Sequence, residues 1–124
     1  MLTDVIRAGR ADLYSIFRTR AHDCARALAI EDGSRKLTYA ELLERVDRLA
    51  AVFLARGVAP GDRIAILSHN RSEYLEVELA AAGIGAIVAC LLAAGEDPQL
   101  QPVVRQLGEG VLIVRFFYQR TGVL

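Results

Sequence analysis

The chain has 124 residues, 53% of them hydrophobic and 24% charged. That length suits one domain with a real core, and that composition excludes intrinsic disorder. Lys+Arg and Asp+Glu number 15 each, so the net charge is zero and the electrostatic case for nucleic acid or an anionic membrane falls away.

Residues 1–15 alternate polar and apolar groups without the apolar centre of a secretory signal, and the expectation is a cytoplasmic chain. Asp12 is placed to cap a first helix, with Leu13, Ile16, Phe17 and Ala21 at helical spacing and His22, Asp23 and Cys24 near its end. Residues 27–31 and 35–37 read as two strands joined at Asp32-Gly33, a strong turn signal.

Thr38-Tyr39-Ala40-Glu41 is a capping box. The helix it opens carries one apolar stripe of Leu42, Leu43, Val46, Leu49, Ala50, Phe53 and Leu54. Glu41, Glu44, Arg45, Asp47 and Arg48 occupy its other faces, and the spacing predicts a solvated, salt-bridged surface. Gly57 supplies a stop, and Pro60 prevents the helix from resuming.

Pro60-Gly61-Asp62 is a turn, residues 63–67 form a buried strand, and Ser68-His69-Asn70 form a polar loop. A helix then runs from Ser72 to about residue 82, with Glu73, Glu76 and Glu78 outward and Tyr74, Leu75, Val77 and Leu79 inward. Residues 86–91 are a second apolar strand, which makes a strand–helix–strand unit with parallel pairing. The uncharged run from residue 79 to residue 95 is short of the roughly 20 residues a spanning helix needs. It reads as a helix end, a turn and a buried strand, so no membrane span is expected. Asp97-Pro98 resembles a helix start for residues 99–107, although Pro102 weakens that helix, and residues 111–118 form a last strand.

The search for chemistry is mostly negative. The sequence contains no GxxxxGK[ST], GxSxG or HExxH. Gly83-Ile84-Gly85 begins like a dinucleotide fingerprint, but Val88 stands where the third small residue belongs, which leaves a packing role for the glycines. Cys24 and Cys90 form no CxxC and cannot supply a four-ligand zinc site. Cys90, within an apolar strand, is expected to be an inert core thiol. His22, Asp23 and Cys24 are helix neighbours that do not share a face, so they do not form a triad or a metal site. Ser68-His69-Asn70 has positional meaning, because it lies at the carboxyl end of a parallel strand, where open α/β sheets bind ligands. A polar connecting loop accounts for the same residues without a ligand. No residue is assigned a catalytic, cofactor-binding or metal-binding role.

Three stretches carry a resemblance: Leu37-Thr38-Tyr39-Ala40-Glu41-Leu42, then Gly57-Val58-Ala59-Pro60-Gly61-Asp62-Arg63-Ile64-Ala65, then Asn70 with Glu73 and the small residues into Gly85-Ala86. In this order and spacing, residues 11–91 resemble the N-terminal part of AMP-forming acyl-CoA synthetases, the adenylate-forming superfamily. The resemblance implies an α/β fold: a partial N-terminal subdomain with a β-hairpin and βαβ units in a mostly parallel sheet flanked by helices. It also implies ATP, Mg²⁺ and CoA for the intact family, which forms an acyl-adenylate and then an acyl-CoA. The family's phosphate loop, acidic adenine/Mg motif and C-terminal catalytic lysine match no residue of this sequence, so no cofactor is expected for the chain alone and its status as an enzyme stays open.

The expectation is one incomplete domain over residues 1–124, with residues 92–124 a divergent tail. After Leu91 the chain continues as Leu92-Ala93-Ala94-Gly95 instead of the family's polar segment, as a deletion, frameshift or early stop would leave it. Uncovered sheet edges in such a piece favour marginal stability or self-association. Three readings follow: an inactive scaffold segment of an acid–CoA ligase, a stand-alone interaction module that pairs with another synthetase fragment, or a small nucleotide-binding α/β protein that uses Ser68 to Asn70.

Overall fold

A computed structural model of the chain describes residues 12–67, 72–91 and 111–115. The elements in chain order are α1 (Leu13–Asp23), β1 (Leu28–Asp32), β2 (Arg35–Thr38), α2 (Tyr39–Ala55), β3 (Arg63–Leu67), α3 (Ser72–Ile84), β4 (Ile87–Leu91) and β5 (Val111–Arg115). The expected helix over residues 99–107 lies outside the described residues, and so does the loop of Ser68, His69 and Asn70.

Local chemistry sets the ends of these elements. Asp12 caps α1 by accepting from the Ser15 amide at 2.7 Å. Thr38 and Glu41 complete their capping box, each side chain accepting from the other's backbone amide at 3.2 Å. At the far end of α2, Gly57 turns left-handed at φ +84°. There Gly57 donates to the Leu54 carbonyl and Val58 to the Phe53 carbonyl, which is a Schellman motif. The end of α3 repeats the motif: Gly85, at φ +74°, donates to Ala82, and Ala86 donates to Ala81.

β1 and β2 form an antiparallel hairpin in which Asp32 pairs with Arg35. The loop is therefore Gly33-Ser34, one residue later than the Asp-Gly signal placed it. Gly33 takes φ +61° and Ser34 does not turn positive, the pattern of a II′ turn. The second sheet is parallel, in the order β4-β3-β5. Arg63 pairs with Ile87 and Val111 at one end, and Leu67 pairs with Leu91 and Arg115 at the other. The strand–helix–strand unit β3-α3-β4 is thus formed as expected, and β5 joins β3 on its free side.

The core lies where α2 and α3 meet β3. Leu42, Val46, Phe53, Ile64, Ile66 and Val77 are buried there, and Ala80 and Ala81 let the elements approach closely. α1 rests across both helices. Its Tyr14 hydroxyl donates to Asp47 at 2.7 Å. A Cβ on Gly83 would lie 3.1 Å from the Tyr14 ring, so the packing role expected of that glycine is real.

Several outward and inward assignments are corrected. Glu76 was placed on the solvent face of α3, yet it is only 5% exposed, while Leu75, placed inward, is 38% exposed. Apolar residues cover every face of α3, so its sequence pattern defines no single stripe, and the neighbours decide which face is buried. Leu13, Ile16 and Leu54 are likewise exposed although they lie on apolar stripes.

Candidate functional site

The parallel sheet presents its carboxyl ends as a row: Leu67 with Leu91 on one side and Arg115 on the other. Open parallel sheets take ligands at this edge. The first turn of α3 follows β3 in the chain, and its side chains are held in place by the neighbouring elements.

That turn is held by the hairpin. Asp32, the last residue of β1, accepts from the Ser72 amide at 3.0 Å and so satisfies an exposed donor at the start of α3. Arg35, the first residue of β2, donates through Nη1 to Ser72 Oγ at 3.0 Å and to Glu73 Oε1 at 2.9 Å. Its Nη2 reaches Glu76 Oε1 at 3.1 Å. Arg45 of α2 approaches the same carboxylate from the other side, with Nε 2.6 Å from Oε1 and Nη2 3.2 Å from Oε2. Three elements, β2, α2 and α3, therefore meet at one buried carboxylate with two guanidinium groups around it. The Glu76 hydrogen bond is the main cause that raises the Arg45 pKa above its ordinary value. This cluster compensates charge and fixes geometry. Within it Ser72 Oγ donates to Glu73 Oε2 at 3.3 Å, and Arg35 holds both side chains.

The sequence pattern assigned Arg45 to a solvated face. It reaches across to α3 because Glu76 would otherwise be an uncompensated buried charge. The signal available in the sequence was Glu73, Glu76 and Glu78 among apolar residues on every face of one helix, since a carboxylate on a face that becomes buried needs partners.

The other acidic and thiol-bearing positions do not converge. Glu41 serves the capping box, Glu44 pairs with Arg48, and Asp47 accepts from Tyr14. His22 Nδ1 does approach Asp23 Oδ1 at 3.6 Å, although helix neighbours were expected to diverge. The two meet where Cys24 leaves helical geometry, at φ −125°, and the His22 side chain is 90% exposed. Among the described residues, no group of three His, Cys, Asp or Glu side chains could hold a metal ion. Within the same residues no helix is long and apolar enough to cross a membrane.

The residues that carry the family resemblance are also placed. The 57–65 stretch and Gly85-Ala86 meet at the amino ends of the strands, opposite the ligand edge. Gly61 donates to the Gly85 carbonyl at 2.8 Å, and Ile87 donates to the Asp62 carbonyl at 2.7 Å. The Asp62 side chain in turn accepts from the Ala59 amide at 2.8 Å. A Cβ on Gly85 would lie 3.4 Å from the Pro60 ring. These stretches join strands and stop helices.

The fold is that of part of the N-terminal subdomain of an adenylate-forming enzyme. The solved N-terminal domain of FACL13 from Mycobacterium tuberculosis superposes with a TM-score of 0.79 at 26% identity, over 86% of this chain and 27% of that one. A family model described as AMP-binding enzyme matches residues 17–123, and the chain belongs to that family. A feruloyl-CoA synthase from Amycolatopsis sp is 42% identical over 94 residues, 76% of this chain and 19% of that protein. The mitochondrial medium-chain acyl-CoA ligase ACSF2 of Rattus norvegicus is 32% identical over 92 residues, 73% of this chain and 15% of its own length. The chain thus spans less than a fifth of these relatives.

Proposed function

We propose that this chain is the N-terminal scaffold segment of an ATP-dependent carboxylic acid–CoA ligase, and that these 124 residues by themselves do not catalyse acyl activation. The observation that carries this reading is the use made of the family's motif residues. Thr38 and Glu41 cap a helix, Gly57 and Gly85 end helices, and Pro60 to Asp62 brace a turn. None of them stands in a constellation that could attack, protonate or stabilise a reacting group.

The segment would hold the start of a larger parallel sheet and seat the first turn of α3 beside it. The relatives named above act, by their names, on a feruloyl group and on medium-chain acyl groups. A segment similar to both does not choose the acid. We place the chain in the cytoplasm, within acyl-CoA metabolism that includes fatty acids.

The test is a pyrophosphate-release assay with ATP, Mg²⁺ and a panel of aromatic and aliphatic carboxylates, alongside a titration of ATP followed by NMR. No turnover and no shift at millimolar nucleotide are the expected results. Acid-dependent pyrophosphate release by the purified chain would overturn the reading.

A second reading, pairing with another synthetase segment, draws support from Ile87, which is 56% exposed on an outer strand of the parallel sheet. Native co-purification with a larger synthetase chain distinguishes it from the first.

A further inference from the structure

Asp32 stands directly before Gly33, and no other aspartate or asparagine of the sequence precedes a glycine. That pair has chemistry of its own. Bonding between the Gly33 nitrogen and the Asp32 side-chain carboxyl carbon closes a five-membered ring, and glycine has no Cβ to shield the nitrogen. A Cβ built at Gly33 would meet nothing within 4 Å, so the position is open. Asp32, Gly33 and Ser34 are all exposed, and water reaches the turn.

The folded chain holds the reacting groups apart. Asp32 closes β1 opposite Arg35, in strand geometry. Its Oδ2 accepts from the Ser72 amide of α3 at 3.0 Å. Arg35, across the turn, bonds Ser72 Oγ and Glu73 Oε1 and so keeps that amide within reach. Ring closure requires the Asp32 carboxyl to leave Ser72 and swing over Gly33.

We propose that Asp32-Gly33 is a modification site that converts spontaneously to isoaspartate through a succinimide, and that the Ser72 amide is the contact that restrains it. The Gly33 nitrogen bonds to Asp32 Cγ, and its proton leaves with the hydroxyl of the protonated carboxyl as one water. Solvent water then adds to the ring and breaks one of its two C–N bonds. Cleavage at Cγ restores aspartate. Cleavage at the Asp32 backbone carbonyl leaves isoaspartate, whose main chain runs through Cβ and Cγ. Overall no atom is gained or lost, and one carboxylate remains.

The consequence reaches α3. An extra main-chain carbon ahead of Gly33 breaks a two-residue turn whose type and length fix the strand register. The new carboxylate then stands away from Ser72, and Arg35 shifts from Ser72, Glu73 and Glu76. The first turn of α3 loses the hairpin that seats it.

The experiment ages the full chain at neutral pH. Isoaspartate leaves the mass unchanged, so methyl transfer by isoaspartyl methyltransferase marks it, and peptide fragmentation locates it at residue 32. Ser72→Pro removes the restraining amide hydrogen at a first-turn position that tolerates proline. With folding checked by circular dichroism, it should speed conversion by about tenfold, the weight of one hydrogen bond to a charged group. Ser72→Ala keeps the amide and should change the rate far less. Gly33→Ala should suppress conversion in both backgrounds. A reading on the unaltered chain keeps the test decisive if Ser72→Pro does not fold. Its isoaspartate form, separated by chromatography, should lose amide-exchange protection at Ser72 and keep it at Glu41, whose amide is held by Thr38. No isoaspartate at residue 32 in the aged unaltered chain would overturn the proposal. So would equal rates in folded Ser72→Pro and Ser72→Ala chains, or an isoaspartate form whose Ser72 amide stays protected.

Discussion

Arg45 of α2 grips Glu76 of α3 at two points, Nε to Oε1 at 2.6 Å and Nη2 to Oε2 at 3.2 Å. The Glu76 side chain is 7% exposed and that of Arg45 44%, so the pair spans the boundary between core and solvent. Arg35 contacts the same carboxylate from the hairpin. One acidic residue thus joins a strand and a helix to α3, and removing it takes the carboxylate from Arg45 and leaves Arg35 held by Ser72 and Glu73.

Glu76→Gln is therefore expected to cost about 1–3 kcal/mol, below the roughly 3–5 kcal/mol of a fully buried pair because both arginines retain some solvent. Arg45→Met should cost less than Glu76→Gln, since Arg35 still neutralises the carboxylate. Urea unfolding of both variants and of the double variant checks the order. Equal losses that add without coupling would show that the contacts do not act as one cluster.

Capping carries its own expectation. Thr38→Ala should cost about 1 kcal/mol by opening the box with Glu41. Gly57→Val should cost at least as much. Open space surrounds a Cβ at Gly57, so the cost arises from the left-handed backbone at φ +84° and not from a clash. Urea midpoints report both. A stabilised Gly57→Val variant would mean that α2 ends differently.

At Gly83 the opposite physics applies. A side chain there meets the Tyr14 ring at 3.1 Å, so Gly83→Val should lift α1 and weaken the Tyr14–Asp47 hydrogen bond. The expected loss is about 1–3 kcal/mol, the range for overpacking. Tyr14→Ala in the same background should relieve part of it, a coupling that a double-mutant cycle of urea curves measures.

Two groups on α1 predict pH dependence of opposite sign. The Ser15 amide hydrogen bond holds Asp12 below its ordinary 3.8. Its contribution is present above pH 3.8 and is lost as pH falls through the lower folded value. The hydrogen bond to Asp47 raises Tyr14 above its ordinary 10.0, with burial and the Asp47 charge acting the same way. That contribution is full below pH 10.0 and is lost as pH rises through the higher folded value. Asp12→Ala should flatten the acid limb of stability against pH. Asp47→Asn should bring phenolate formation at Tyr14 to lower pH in an absorbance titration.

Much of the chain is legible locally. The capping box at Thr38, the stop at Gly57, and the apolar strands at residues 63–67 and 86–91 all depend on neighbours within a few residues, and the structure reproduces them. Where the sequence misled, the cause was an element with no clear face. α3 carries apolar side chains all round, so Glu76 could be read as outward until α2 and the hairpin supplied arginines to meet it.

By itself, then, the sequence determined the order and kind of the described elements and the parallel unit β3-α3-β4, because caps, turns and periodicity act over short range, while the family showed in the resemblance carried by residues 37–42 and 57–65. Only the tertiary structure decided that Asp32 and Arg35 would seat the first turn of α3, that Glu76 would be buried, and that Leu13, Ile16 and Leu75 would share one groove. Those outcomes join residues 31 or more positions apart, and no local propensity encodes which face each element turns toward the others.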